Sequence, residues 1–66
     1  MSDFQTSLIQ ERDELDARLT KLKAFLESEA YLTRCNIQQQ VLLYSQSGLM
    51  QGYLNTLNKR IELLGA

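Results

Sequence analysis

The chain has no histidine, no proline and no tryptophan, and a single cysteine among its 66 residues. Without histidine there is no Ser/His or Cys/His pair for nucleophilic catalysis and no Glu-x-x-His ligand pair for a metal in a helical core. One cysteine excludes an internal disulfide, and with no histidine beside it the common zinc sets go too. The expectation is therefore a protein that is not an enzyme and carries neither metal nor cofactor. Missing proline means that nothing in the sequence obliges a helix to stop or kink. Charge is missing as well, but only locally. From Cys35 to Asn58 there is no Asp, Glu, Lys or Arg, so all seven bases and all eight acids lie outside one stretch of 24 residues. A helix with no charged face is rarely a solvated one.

Other classes fall to the same composition. A net charge of −1 offers no basic field to the backbone of duplex nucleic acid. The uncharged stretch is not a membrane span, because Asn36, Gln38, Gln39, Gln40, Gln46, Gln51, Asn55 and Asn58 put amides on every side of it. Asp3, Gln5, Glu11 and Asp13 interrupt any apolar run near the N-terminus, so no signal peptide is read there and a cytoplasmic, thiol-reducing setting is expected. The carboxylates Glu11, Asp13, Glu14 and Asp16 cluster in sequence, but helical spacing scatters them over different faces and they read as a solvated surface. Cys35 reads as incidental; as a reactive thiol it would need activation from a helix N-terminus or from Arg34.

What is present is helical periodicity. Phe4, Leu8, Leu15, Leu19, Leu22 and Leu26 form one apolar stripe, and Leu43, Met50, Leu54, Leu57, Ile61 and Leu64 form another, with Ser47 filling a skipped position. Ser2 followed by Gln5 is a capping-box pattern that opens a first helix, and Asn36 followed by Gln39 offers a second. Early acids and later bases suit the dipole of the first helix, and Glu14 and Arg18 are spaced for an i,i+4 pair. Arg12 interrupts the first stripe, so it must either snorkel outward or meet an anion. The heptad rhythm fails between Glu27 and Cys35, where Tyr31 and Leu32 are expected to pack under a turn. Gly65 reads as the second helix's stop.

The reading is a single all-α domain over residues 1–66: an antiparallel two-helix hairpin with helix one at about 3–27, the turn at about 28–35 and helix two at about 36–64. Leu42, Leu49 and Tyr53 add a second apolar stripe to helix two, more than one partner helix covers. A chain this short buries only about 60% of its unfolded surface alone. With disulfide and metal excluded, oligomerisation is the remaining staple, and a homo-oligomeric helical bundle is expected. Gly48 and Gly52, with Ser45 a turn earlier, form a small-residue ridge, read as a close helix crossing between subunits in preference to a ligand lying against bare backbone or a tolerated weak spot.

Binding chemistry is better supplied than catalysis. Arg12, Arg18, Lys21, Lys23, Lys59 and Arg60 can take phosphate oxygens, and Phe25, Tyr44 and Tyr53 offer rings on which a base can stack. Two patterns carry a resemblance: Leu19-x-x-Leu22-x-x-Phe25-Leu26 on the first helix, and Leu42-Leu43-x-x-Gln46-x-x-x-Met50-x-x-Tyr53-x-x-Leu57-x-x-Arg60-Ile61 on the second. Together they make the chain resemble the helical-hairpin family of phage nucleotide sponges, the anti-CBASS and anti-Thoeris proteins. That resemblance implies a homohexamer in the host-cell cytoplasm that sequesters cyclic oligonucleotides or cyclic ADP-ribose derivatives between subunits without cleaving them. It carries Arg60 over as a phosphate ligand, since Arg60 lies inside the matched segment. Lys21, Lys23 and Arg12 join it as ligand-binding candidates on charge and position, and Tyr53 as a stacking surface. The alternative is a structural or adaptor hairpin that oligomerises and docks a protein partner through its uncharged helix.

Overall fold

The computed structural model describes residues 3–65, which are helical nearly throughout: α1 (Asp3–Leu26), α2 (Glu29–Arg34) and α3 (Ile37–Gly65), with no strand among the described residues. The Ser2 side of the first capping box lies outside the described residues. The second box is formed in full. The Gln39 amide N–H donates to Asn36 Oδ1 at 2.8 Å, and the Asn36 N–H donates to Gln39 Oε1 at 3.1 Å. Two amide donors that the start of α3 leaves without intrahelical partners are thus satisfied by the sequence that begins it.

α1 and α3 pack against each other along their length and run antiparallel, since Arg12 near the start of α1 reaches Asn58 while Lys23 near its end reaches Gln51. The shared seam is built on five buried leucines, Leu8, Leu15 and Leu19 from α1 and Leu54 and Leu57 from α3, with Met50 and Ile61 packed partly against them. Leu57 is completely buried. Each such leucine contributes about 1.5–3 kcal/mol on burial.

Residues 28–35 are not the plain turn that loss of heptad rhythm suggests, because the six-residue α2 occupies most of it. Ser28, extended at φ −91° and ψ 159°, starts α2, and its hydroxyl donates back to the Phe25 carbonyl at 2.6 Å, tying the new helix to the end of α1. Cys35 and Asn36 then reverse the chain into α3. Tyr31 does pack in this corner. Its ring meets Phe25 edge-on with centroids 6.2 Å apart, and its hydroxyl donates to the Gln40 carbonyl at 2.8 Å. Leu32 does not; it is 67% exposed, since the α2 turn that brings Tyr31 inward carries the next residue outward. Two smaller expectations also fail. Gly65 is still helical and no described glycine has a positive φ, and Glu14 accepts from the Gln10 amide at 3.3 Å where a bond to Arg18 was expected.

The result is a rod, with Cα extents of 46 × 14 × 14 Å and a radius of gyration of 14.8 Å, against about 11 Å for a compact chain of this length. Its accessible surface is 5128 Å², whereas a compact protein of 7.6 kDa exposes roughly 4,300 Å². The large apolar residues left exposed lie mostly on α3, where Ile37, Val41, Leu42, Tyr44, Leu49, Tyr53, Leu63 and Leu64 are all open to solvent. Gly48 and Gly52 sit in the middle of that exposed surface, each costing about 1 kcal/mol relative to alanine in a helix. A Cβ added at either would meet no atom of the chain within 4 Å.

Candidate functional site

The geometry of the α1–α3 pair sorts the candidate ligand residues onto two flanks. On the first flank, Arg12 Nη1 donates to Asn58 Oδ1 at 2.8 Å, and Arg12 Nε bonds the Asp13 carboxylate at 2.7 Å. Arg12 thus meets its anion within the chain, half-buried beside the seam. Three turns later on α1, Lys23 Nζ donates to Gln51 Oε1 at 2.7 Å, and Gln51 Nε2 passes the chain on to Asn55 Oδ1 at 2.9 Å. Both cations are therefore held by amides of α3, and a ligand phosphate on this flank would have to displace those bonds.

Tyr53 and Arg60 lie on the other flank. Each is two residues beyond the amide that marks the first flank, Gln51 or Asn58, and two residues carry the helix about 200° round. They stand seven residues apart, two turns along one face, so one extended ligand can touch both. Tyr53 is 48% exposed and Arg60 is exposed, and Arg60 makes no hydrogen bond or ion pair among the described residues. On α1, Lys21 stands two residues beyond the buried Leu19, about 200° round, which turns it to the back of α1 on the side away from Lys23, at a level along the pair close to that of Tyr53. Lys21 too has no partner among the described residues.

Of the five candidates, then, the structure brings Tyr53 and Arg60 to one flank, sends Arg12 and Lys23 to the opposite one, and turns Lys21 to the back of α1. Arg18 belongs with Tyr53 and Arg60. It is three residues beyond the buried Leu15 and one before the buried Leu19, on the side away from Lys23, and is also unpartnered among the described residues; that spacing from the leucines is the signal that could have singled it out. The flank is not purely basic, since Glu11 and Glu14 share it, with Glu14 engaged by Gln10. What distinguishes it is unengaged guanidinium groups beside an exposed ring, a combination suited to a phosphate attached to a planar base.

No groove of the single chain encloses this flank. The depression at the free end of the pair, lined by Gln5, Ile9, Ile61, Leu64 and Gly65, holds about 160 Å³. The one lined by Lys23, Leu26, Glu27, Tyr44 and Ser47 is open to solvent. A small-molecule site ordinarily buries 70–90% of its ligand, which neither of these can do. Among the described residues no helix is long and apolar enough to cross a membrane, and no group of three or more His, Cys, Asp or Glu side chains is placed to hold a metal ion.

No solved structure matches the chain. Among curated proteins it is similar to an uncharacterized 7.5 kDa protein of the denB-rIIB intergenic region of Enterobacteria phage T4, 38% identical over 61 residues that cover 92% of this chain and 94% of that protein. The family model described as Sequestin matches residues 2–63. That span takes in α1, α2 and α3 as far as residue 63, and with them both flanks, so the chain belongs to the Sequestin family.

Proposed function

We propose that the protein is a phage anti-defence protein that binds cyclic nucleotide immune signals, either cyclic oligonucleotides or cyclic ADP-ribose derivatives, and withholds them from their effector without cleaving them. The observation that supports this best is the Tyr53–Arg60 pair: a guanidinium with no partner among the described residues stands two turns from an exposed ring, at the end of a helix otherwise almost free of charge. Arg60 takes phosphate oxygens, and Tyr53 stacks on a base. Sequestration needs no turnover. A ligand bound well below its working concentration is withdrawn by mass action, in proportion to the amount of protein made.

Because a single α1–α3 pair leaves the flank open, the ligand is held where copies of the chain meet, in a homo-oligomer that the sponge resemblance makes a hexamer. Native mass spectrometry with a panel of cyclic di- and trinucleotides and cyclic ADP-ribose isomers tests both parts. The expected result is an assembly that gains whole ligand masses and releases the ligand intact on denaturation. Arg60→Ala is expected to weaken binding by roughly 10- to 100-fold, the loss of a hydrogen bond to a charged group, with helicity unchanged. Unchanged affinity by calorimetry removes Arg60 from the site. The exposed apolar face of α3 also favours a second reading, an adaptor that docks a protein partner; a chain that stays bare across the whole panel moves the assignment there.

A further inference from the structure

The two flanks of the α1–α3 seam are finished differently. On one, Arg12 is tied to Asn58, and Lys23 to Gln51 and through it to Asn55. On the other, four side chains stand in two rows. Glu11 is three residues beyond the buried Leu8 and Arg18 three beyond the buried Leu15, which sets both on the side of α1 away from Arg12 and Lys23. Tyr53 and Arg60 stand likewise on α3, one residue before Leu54 and Ile61. The members of each row are seven residues apart, about 10 Å along the helix. Because the helices are antiparallel, with Arg12 meeting Asn58 and Lys23 meeting Gln51, Arg18 comes level with Tyr53 and Glu11 with Arg60.

That placement sets an acid across the seam from a base, yet Glu11 and Arg60 form no ion pair, and none of the four side chains has a hydrogen bond or ion pair among the described residues. An unengaged carboxylate beside Arg60 repels the phosphate that Arg60 takes, unless the ligand brings a donor to it. We infer that Glu11 is a specificity-determining ligand contact: its carboxylate accepts a hydrogen bond from a ribose hydroxyl next to the phosphate on Arg60, so that the site takes ribonucleotides and discriminates against their deoxyribose counterparts. The order of groups along the flank favours the sugar over the base as the donor. The base lies against Tyr53, two turns from Arg60, and the ribose, which joins base to phosphate, falls between them on the side that Glu11 lines. A ligand without the hydroxyl leaves the carboxylate facing a phosphate with nothing to accept, which is how a site built for a hydroxyl rejects the analogue that lacks it. The inference rests on the sequestration reading and adds the sugar to it.

The sign of one substitution tests it, by calorimetric titration with cyclic di- and trinucleotides and cyclic ADP-ribose, each beside its deoxyribose counterpart. A carboxylate that only repels phosphate strengthens binding when it is removed, whereas one that accepts from the ligand weakens it. The expected result is that Glu11→Ala binds the ribose form roughly tenfold or more weakly than wild type and no longer separates it from the deoxyribose form. Glu11→Gln keeps a neutral acceptor and retains part of the preference. Helicity is unchanged in both, since Glu11 is exposed and makes no bond within the described residues. Affinity for the ribose form that is unchanged or higher in Glu11→Ala, or a wild type that binds both forms alike, overturns the inference and leaves sequestration standing. A wild type that takes up none of these probes overturns the two together.

Discussion

α1 carries nine charged residues in 24, distributed from Asp3 to Lys23, whereas α3 carries three in 29, and all three fall after Asn58. Their apolar surfaces differ in the same sense. Leu8, Leu15 and Leu19 of α1 are buried in the seam, while α3 buries Leu54 and Leu57 there and leaves most of its remaining large apolar residues in the open. One helix is thus completed by the other, and the other is not completed by the first. Amphipathic patterning tells whether a helix has a partner. The number of its apolar faces tells how many.

That asymmetry can be broken most forcefully at the seam. Leu57→Ala empties a fully buried position and is expected to cost about 2–5 kcal/mol in denaturant unfolding. A loss below about 1 kcal/mol would mean that contacts on the outward face, and not the seam, hold α3 in place. The start of α3 comes next in size. Asn36→Ala removes one half of the capping box and is expected to cost about 1 kcal/mol, read as a lower melting temperature with fraying confined to the first turn by hydrogen exchange. The smallest effect is expected at the polar edge. Arg12→Leu gives up the bonds to Asn58 and Asp13 but restores an apolar residue to the stripe of α1, so stability should change by less than about 1 kcal/mol in either direction. A larger loss would show that this flank, with its ordered amides, contributes to holding the two helices in register.

The helical class and the seam were legible because they depend on local spacing: Leu54, Leu57 and Ile61 fall on the α1-facing side at steps of three and four, and Asn36 and Gln39 announce their cap within one turn. α2 was not legible in this way, since six residues are too few to show a heptad; its signal was Ser28 followed by Glu29, a cap preference and an acid in the first turn. The candidate site could be read from the sequence as a set of residue types, and not as a spatial grouping. Lys21 and Lys23 look equivalent in sequence, and only the register of α1 on α3 separates the one that Gln51 engages from the one turned away from α3. Register is read from bonds 28 and 46 residues apart in the chain, which periodicity along one helix does not contain.

The charge-free span of α3 has a consequence for how the molecule responds to ionic strength. A surface without ions is blind to screening, and added salt, if anything, strengthens its apolar contacts. Arg60 and Lys21, exposed and unengaged, respond in the opposite way. If, as proposed, the protein holds an anionic guest between copies of itself, dialysis into concentrated salt should empty it of that guest while leaving the copies together, a physical separation of holding a ligand from holding a shape.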